Sequence, residues 1–223
     1  TEVDTLSLHD ALPILHLIHR GIVNKKYKEN VLKSFKSSFK KGYGVETDIH
    51  ATSDGQFVCF HDFTLKRIYK NNSSIKNLTF ENLKSITKNK VPLLKDLLKI
   101  SKNNFYIFVE IKPLFTVKLM NKLIKETRKF NKCVFISFNE KNIYRLLSKK
   151  KKIKVGLSFS SKTSIKTITK KSKNKNINCL ILDKYFLTKS KVLNINKEKY
   201  FYTIKKKSDF KKFSKNKKIF KNL

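Results

Sequence analysis

Three acidic residues lie within strand-like segments of the sequence, and their placement suggests a metal site. Glu46 and Asp48 stand two positions apart in segment 44–50, and Glu110 lies inside the apolar run FYIFVEI of 105–111. An unpaired charge in such a run would be costly to bury. Converging carboxylates would also raise one another's pKa unless a cation neutralised them. Because hard divalent cations take oxygen ligands, these residues predict one Mg²⁺ or Ca²⁺ site.

Four further side chains at the ends of strand-like segments could complete a reactive site. His19 and Arg20 end the first such segment, His61 ends the segment after 44–50, and Lys112 follows Glu110. Two imidazoles suit general acid and general base chemistry near neutral pH. A guanidinium and an ammonium suit the oxyanion of a phosphate. Together with a divalent cation, these residue types predict metal-assisted phosphoryl chemistry.

Each of these residues also has an ordinary structural interpretation. Glu46 alone fits an exposed strand position about as well as a ligand, and Asp48 alone fits a turn or a sheet edge. His61 alone would more often be structural than catalytic, and His50 is interpreted as a polar residue near a hairpin. Glu110 resists such an interpretation, because the run around it is apolar on both sides.

One short connection predicts that several of these side chains meet. The segments on either side of Asp54-Gly55 leave no room for a crossover helix, and this dipeptide is a strong β-hairpin signal. If Asp54-Gly55 is a two-residue loop, Asp48 lies opposite His61 and Glu46 points to the same face. The opposite face then carries the core residues Val45, Ile49, Val58 and Phe60. A register slip of one residue would undo this arrangement.

Strand-like and helix-like segments alternate along the chain and indicate a parallel α/β sheet. The strand-like segments are 15–19, 44–50, 57–61, 105–111, 132–137, 153–159, 178–182, 199–204 and 218–221. The helical patterns are 27–40, 78–87, 93–102, 116–129, 139–149, 161–171 and 207–214. About eight such units predict a (β/α)8 TIM barrel with a β-hairpin extension after the second strand. A doubly wound sheet is the alternative, but no Gly-rich phosphate loop follows the first strand.

The composition limits the classes of partner. Of 223 residues, 52 are Lys or Arg and 16 are Asp or Glu, so the net charge is +36, yet only four residues are Arg. Scarce Arg argues against specific nucleic-acid binding, while weak binding to anionic surfaces through the lysine excess stays open. No apolar run approaches the ~20 residues of a transmembrane segment. Three widely spaced cysteines predict neither disulfides nor zinc and fit a cytoplasmic location.

The two ends differ from the rest of the chain. Residues 5–14 read TLSLHDALPI, a stretch without Lys or Asn that looks like a translated sequencing adapter. We therefore expect 1–14 to be a non-native segment and 15–223 to form the barrel domain. The segment 218–223 reads as a strand, and the pattern lacks the last helix of a barrel. We expect both ends to be truncated, so that the native start and any signal peptide are not visible.

The order of the motifs resembles that of the glycerophosphodiester phosphodiesterase family of metal-dependent (β/α)8 enzymes. HRG alone would be a weak signal, but this series of motifs in this order is highly specific. The likeness extends from about residue 15 to the end and weakens after 140. The shared motifs are His19-Arg20-Gly21, Glu29-Asn30, Gly44-Val-Glu46-Thr-Asp48, Thr52-x-Asp54-Gly55, His61-Asp62, Thr64-Leu65-x-Arg67, Val91-Pro92-Leu93, Glu110-Ile111-Lys112 and Ser137-Phe138.

This resemblance implies hydrolysis of a glycerophosphodiester to glycerol 3-phosphate and an alcohol. It implies that the carboxylates of Glu46, Asp48 and Glu110 hold one divalent cation, Mg²⁺ or Ca²⁺. It further implies that the two histidines act as acid and base, in an order that stays open. Arg20 and Lys112 would then neutralise the phosphate of a small-molecule phosphodiester.

The chain departs from the family pattern at four positions. Val31 stands where Thr is usual after Glu-Asn, and Leu93 stands where Thr is usual after Pro92. Late in the chain, Tyr202 replaces the Trp of a Trp-Thr-Val-Asn motif and Lys205 replaces its Asn. Tyr202 would then form a wall of the substrate pocket. These changes bear on the choice of substrate and leave the metal ligands and histidines unaffected.

Three other functions stay open at this point. One is lysophospholipase D-like hydrolysis of a lipid-bearing phosphodiester, which an apolar rim beside the site would favour. Another is a non-enzymatic binder of nucleic acid or anionic membranes, whose steeply salt-dependent binding would survive replacement of Glu46 and His61. The third is a folded but inert fragment. The sequence leaves the head group, the native metal and the oligomeric state undetermined.

Overall fold

A computed structural model gives the fold and describes residues 17–25, 27–149 and 153–204. Seven parallel strands form a nearly closed barrel in the order β1-β2-β4-β5-β6-β7-β8, and β3 pairs antiparallel with β2. The predicted TIM barrel with a hairpin after its second strand is thereby confirmed. The strands are β1 Leu17–His19, β2 Gly44–Ala51, β3 Phe57–Cys59, β4 Ile107–Ile111, β5 Cys133–Ser137, β6 Val155–Phe159, β7 Cys179–Asp183 and β8 Glu198–Tyr202.

Helices connect the successive strands of the barrel. Three of them begin at a capping side chain: Thr79, Thr116 and Ser164 each accept a hydrogen bond from a backbone N–H three residues later. The short helices α2 and α8 were not predicted, because four residues carry too little periodicity. The α-helices are α1 Leu32–Lys40, α2 Lys66–Tyr69, α3 Phe80–Thr87, α4 Leu94–Ser101, α5 Val117–Thr127, α6 Glu140–Lys149, α7 Ile165–Ser172 and α8 Ser190–Leu193.

The first helix begins later than the pattern of 27–40 predicts. Asn30 has a left-handed backbone with φ of 53°, and its N–H donates to the Arg20 carbonyl at 2.9 Å. A helix cannot include such a residue, so α1 starts at Leu32. The segment before it is instead held against the end of β1, where the candidate site lies.

The hairpin forms, but its loop has three residues instead of the predicted two. The Thr52 N–H donates to the Gln56 carbonyl at 2.9 Å, which leaves residues 53–55 as the loop. Gly55 has φ of 74°, a conformation that favours glycine. The Thr52 hydroxyl also accepts the Gln56 N–H at 2.9 Å and bonds the Asp54 carboxylate at 2.5 Å. These side-chain bonds close the longer loop.

The extra loop residue shifts the hairpin register by one position. Ile49 pairs with Cys59, and the Phe60 N–H donates to the Asp48 carbonyl at 2.9 Å. The predicted pairing of Asp48 with His61 is therefore wrong. The predicted core face is also wrong in part: Val45 and Ile49 pack with Phe57 and Cys59, whereas Val58 and Phe60 belong to a separate buried cluster.

Alternation along the strands divides the apolar side chains into two layers. Val109 and Phe135 belong to the large cluster between the barrel and its helices. Phe108, Val134 and Ile136 belong to a smaller cluster with residues of β7 and β8, which fills the barrel interior. The inward positions nearer the carboxyl ends of β2 and β4 are therefore left for polar side chains.

No helix in the described part of the chain is long and apolar enough to cross a membrane.

Several predictions from the sequence fall outside the described residues. The described strands leave a gap between β8 and β1, where an eighth parallel strand would belong. The predictions that lie outside are the non-native segment 1–14, the helix 207–214, the strand 218–221 and the role of Lys205.

Candidate active site

Three carboxylates meet inside the barrel near the carboxyl ends of two neighbouring strands. Glu46 and Asp48 are alternate residues of β2, so they point to the same side. Parallel pairing places Glu110 of β4 directly beside Asp48. Each of the three offers an oxygen, and these oxygens lie within 4.8 Å of one another. The structure thus brings together the three carboxylates predicted from the sequence, and they could hold a metal ion.

The electrostatics of this cluster favour a bound cation. Burial raises the pKa of Glu46 well above its ordinary value, and the charges of Asp48 and Glu110 raise it further. Burial and the charge of Asp48 likewise raise the pKa of Glu110. Among the described residues, the buried Glu46 Oε2 has no hydrogen-bond partner. A cation between the carboxylates would satisfy this oxygen and offset the repulsion.

Two cationic side chains lie against the same carboxylates. Lys112 Nζ is 3.0 Å from Glu110 Oε1 and 3.6 Å from Asp48 Oδ1. Arg20 Nε is 3.2 Å from Asp48 Oδ2, but it is buried and makes no hydrogen bond with any described residue. Arg20 also has φ of 59°, which its neighbours must hold in place. These cations partly neutralise the three carboxylates, and their remaining N–H groups could donate to an anion.

A buried amide positions the metal-ligand candidate Asp48, and sequence reasoning assigned it no role. Asn30 Nδ2 donates to Asp48 Oδ2 at 3.2 Å, and the Thr47 hydroxyl donates to Asn30 Oδ1 at 2.8 Å. Asn30 is 2% exposed, so both ends of its amide are committed. Its place in the Glu29-Asn30 motif was the available signal. Its contact with Asp48 depends on tertiary structure.

His19 lies at the end of β1 beside the carboxylates. Its Nε2 is 3.9 Å from Glu46 Oε2, and its side chain is 38% exposed. Partial burial and the charge of Arg20 lower the pKa of His19 to about 4. At pH 7 the imidazole is therefore neutral and able to accept a proton.

His61 reaches the site although its predicted strand pairing is wrong. The chain leaves β3 after Cys59 and reaches His61 two residues later. The ring lies near enough to His19 for a charge on His61 to lower the pKa of His19. The His61 Nδ1 lies 2.6 Å from Asp62 Oδ1, and its Nε2 makes no hydrogen bond within the described part of the chain. The two predicted histidines are thus brought to the same end of the barrel by different means.

A network of ion pairs links His61 to Arg20. Arg67 Nε donates to Asp62 Oδ2 at 2.6 Å, and Arg67 Nη2 donates to Glu29 Oε1 at 2.5 Å. The same Glu29 oxygen accepts from Arg20 Nη1 at 3.2 Å. Burial opposes ionisation of Asp62 and Glu29, but the Arg67 hydrogen bonds lower the pKa of both. Arg67 therefore connects the His61-Asp62 pair with Arg20.

His50 is buried between the hairpin and the loop that follows it. Its Nε2 lies 3.2 Å from the His61 carbonyl, and its ring meets Phe63 edge to face at 5.0 Å. Burial lowers its pKa to about 4. His50 thus supports the backbone at His61, which agrees with its interpretation as a polar residue near the hairpin.

Two residues of the later strands complete the surroundings. Tyr202 ends β8, its hydroxyl donates to the Phe159 carbonyl at 3.0 Å, and its ring meets Phe138 at 5.8 Å. Burial raises the pKa of Tyr202, and the charges of Asp183 and Glu110 raise it further. Ser158 of β6 is buried, and its hydroxyl has no partner among the described residues. Nothing in the sequence singled out Ser158.

Comparisons with known proteins agree with this geometry. Residues 19–216 match the model of the Glycerophosphoryl diester phosphodiesterase family. The structure resembles a glycerophosphodiester phosphodiesterase from Thermotoga maritima, with a TM-score of 0.77, 24% identity, and 93% and 92% of the two chains covered. It also resembles an Oleispira antarctica phosphodiesterase solved with its product sn-glycerol-3-phosphate, with a TM-score of 0.78, 19% identity, and 91% and 90% covered. Both likenesses concern the fold.

Curated relatives carry the same family name. A glycerophosphodiester phosphodiesterase of Caldanaerobacter subterraneus subsp. tengcongensis is 26% identical over 162 residues, covering 65% of this chain and 66% of the relative. Glycerophosphodiester phosphodiesterase 1 of Mus musculus is 27% identical over 154 residues, covering 61% and 46%. The chain thus spans less than two thirds of the length of these relatives. The family match over 19–216 covers most of the chain, so the chain belongs to the Glycerophosphoryl diester phosphodiesterase family.

Proposed function

We propose that this protein hydrolyses glycerophosphodiesters to glycerol 3-phosphate and an alcohol. The observation that carries the proposal is the meeting of the carboxylates of Glu46, Asp48 and Glu110 with the cations of Arg20 and Lys112. Family membership supports it, as does the product found on the Oleispira antarctica relative. Water attacks phosphorus, the bond from phosphorus to the alcohol oxygen breaks, and the protons of water divide between products.

The three carboxylates would hold one divalent cation, Mg²⁺ or Ca²⁺. The fit rests on an all-oxygen donor set within 4.8 Å and on the buried, unpartnered Glu46 Oε2. The bound cation would polarise a phosphoryl oxygen and stabilise the charge that develops there. Asn30 and Lys112 would keep the Asp48 carboxylate oriented through contacts at 3.2 and 3.6 Å.

The two histidines would share the proton transfers. His19 is neutral at pH 7, so its imidazole would accept the proton of the attacking water. His61 is paired with Asp62 through Nδ1, so its Nε2 would be the ring nitrogen that protonates the leaving alcohol. Arg20, whose Nε makes no hydrogen bond with a described residue, would bind a phosphoryl oxygen through its guanidinium.

Release of glycerol 3-phosphate from glycerophosphocholine and glycerophosphoethanolamine tests the function. We expect release with Mg²⁺ or Ca²⁺, none with chelator, and none from His19→Ala. Glu81→Gln is the matched control, because Glu81 is an exposed acid on α3 that pairs only with Lys84 among the described residues. A well-folded protein that releases no glycerol 3-phosphate with either ion would overturn the proposal.

A change of leaving group separates the roles of the two histidines. The p-nitrophenyl ester of glycerol phosphate loses a stable phenolate that needs no general acid. His61→Ala should therefore recover most of its rate on this substrate, whereas His19→Ala should not. Equal recovery by both variants, or recovery by His19→Ala alone, would reject the assignment.

A second candidate activity is hydrolysis of a lipid-bearing phosphodiester. It is favoured by exposed apolar side chains on loops beside the site, including Phe63 and Leu114. Rates on lysophosphatidylcholine and glycerophosphocholine distinguish the two candidates. A higher kcat/KM on the single-chain lipid would favour the second, and a tenfold lower value would exclude it as the main activity.

Three further predictions from the sequence, on the domain, the pocket wall and the cellular location, are kept as proposals. We propose that residues 15–223 act as one barrel domain, with Tyr202 as a wall of the substrate pocket. Three free cysteines, Cys59, Cys133 and Cys179, are buried and unpaired, which suits a reducing compartment such as the cytoplasm. Fractionation of cells that express the native gene would test this location.

A further inference from the structure

The large apolar side chains that the described residues expose are concentrated at one end of the barrel. Of seven, four lie on loops that directly follow a strand, and Tyr185 lies on the short 3-10 helix Lys184–Thr188 that directly follows β7. Val117 begins α5 after the loop from β4, and Tyr144 lies on the second turn of α6. The five and their exposed fractions are Val23 57%, Phe63 56%, Leu114 44%, Phe138 47% and Tyr185 50%.

These five residues surround the mouth of the candidate site. Four of them follow parallel strands, whose carboxyl ends meet at one end of the barrel, where the carboxylates of Glu46, Asp48 and Glu110 also lie. Phe63 follows the antiparallel β3 instead, and its ring meets His50, which contacts the His61 carbonyl. Scattered apolar residues are normal on any protein surface. A ring of them at one end is not, since large exposed apolar patches mark interaction sites. We call Val23, Phe63, Leu114, Phe138 and Tyr185 the apolar rim.

Positive charge accompanies the apolar rim. The same connections, with the first residue of α2, expose four lysines, Lys25, Lys28, Lys66 and Lys184, and the loop after β6 exposes Lys162. Of the acids on the described parts of these connections, Glu29 and Asp62 are both paired with Arg67. Of the acids that border them, Glu140 is paired with Lys171 and Asp183 accepts the Tyr185 N–H. Lys189 Nζ also lies 4.6 Å from the centre of the Tyr185 ring. This end of the barrel is therefore both apolar and cationic.

We propose that the apolar rim docks onto an anionic phospholipid bilayer. Aromatic and aliphatic tips would enter the headgroup region, where amphipathic rings are favoured. The lysines would face anionic headgroups, and each contributes about 1 kcal/mol near such a surface. A protein partner would have to supply acidic and apolar groups in one ring, whereas an anionic bilayer supplies both everywhere. The bilayer is thus the occupant that this chemistry fits.

Vesicle sedimentation with the full chain tests the docking. The two vesicle types are phosphatidylcholine alone and phosphatidylcholine with phosphatidylglycerol in equal amounts. We expect binding to the anionic vesicles, little to the neutral ones, and weakening as salt rises. The triple variant Phe63→Ser, Leu114→Ser, Tyr185→Ser should lower the partition coefficient at least about tenfold. Lys184→Gln should lower it about fivefold.

Tyr144→Ser is the matched control, because it removes a large exposed ring that lies on α6 and outside the apolar rim. It should bind like the unchanged protein. Equal binding by the triple variant would show that dispersed lysines alone hold the protein, and would overturn the proposal. So would failure of the unchanged protein to bind anionic vesicles.

Folding of the variants is checked by circular dichroism. If the triple variant does not fold, Leu114→Ser and Tyr185→Ser are measured singly, and each should lower the partition coefficient about twofold. Unchanged partition in both would reject the role of the rim. Sedimentation needs no turnover, so failure here leaves the proposed hydrolysis intact.

Discussion

The two sides of the barrel interior differ in chemistry. At the ends of β2 and β4 the inward side chains are carboxylates, with Arg20 and Lys112 against Asp48 and Glu110. At the end of β1 lies His19, whose Nε2 is 3.9 Å from Glu46 Oε2. Across the barrel, inward positions of β5 and β7 carry Ile136 and Ile181, and that of β6 carries Ser158. The side formed by β1, β2 and β4 can bind ions and charged groups, whereas the side formed by β5, β6 and β7 provides mainly apolar packing.

This difference predicts that the two sides tolerate substitution differently. A buried carboxylate is tolerated only with partners at defined distances, so the charged side allows few substitutions. An apolar wall accepts side chains of similar volume at a small cost in stability. Replacing residues on the two sides should therefore separate activity from stability.

The largest expected effect is on the charged side. Glu110→Gln removes one of three carboxylates and should lower kcat about a thousandfold, since a cation that stabilises phosphoryl charge contributes several kcal/mol. Steady-state release of glycerol 3-phosphate measures this loss, with Glu81→Gln as control. A kcat within tenfold of the unchanged protein would mean that Glu110 is not a ligand.

The reverse pattern is expected for the apolar layer between the barrel and its helices. Phe135 is 1% exposed on β5, and Phe135→Ala should lower the free energy of unfolding by about 3–5 kcal/mol. The kcat of the folded fraction should change less than about twofold, because the Phe135 ring belongs to the cluster between barrel and helices, whereas the site carboxylates point into the barrel. Urea denaturation and kcat are measured on the same sample. Tyr144→Ala, an exposed aromatic control, should alter stability by less than about 0.5 kcal/mol.

A smaller effect is expected at Arg67, because it acts on the site through Asp62 and Glu29. Arg67→Gln breaks the link between the His61-Asp62 pair and Glu29, and should lower kcat about 10–100-fold with little change in KM. Stability should change by less than about 1 kcal/mol, because the Arg67 side chain is 49% exposed. Arg67→Lys should rescue little, since lysine cannot hold two carboxylates in a fork. A changed KM with unchanged kcat would place Arg67 in substrate binding instead.

The smallest expected effect is on the pH dependence of stability in the metal-free protein. The raised pKa of Glu46 means that its folded state binds a proton more tightly than its unfolded state. The stability that protonated Glu46 contributes is fully present below its ordinary pKa of 4.5. It is lost as pH rises through the raised pKa of the folded state. In chelator, Glu46→Gln should therefore raise Tm by about 2–4 °C at pH 8 and by less at pH 5. An equal shift at both pH values would contradict the pKa argument.

The elements of the fold could be predicted because periodicity changes clearly along the chain. The barrel follows from alternating strands and helices, and the inward position of Glu110 follows from its apolar neighbours. The hairpin register could not be predicted, because Asp54-Gly55 suits both a two-residue and a three-residue loop. Side-chain bonds of Thr52 select the longer one.

The supporting contacts of the site were beyond sequence reasoning for a related reason. Asn30 and Arg67 reach Asp48 and Glu29 across 18 and 38 positions of the chain. Such contacts depend on how loops fold back onto strand ends, and no local pattern encodes that. Strand ends are encoded locally, which is why the carboxylates and histidines were found and their positioning residues were not.

Metal binding tests the central claim most directly, because it needs no substrate. Calorimetric titration of Mg²⁺ or Ca²⁺ into chelator-treated protein should show one ion per chain. Asp48→Asn should lose this binding, while Glu81→Gln should keep it. Equal affinity and stoichiometry in Asp48→Asn would contradict the assignment of the β2 and β4 carboxylates as the metal site.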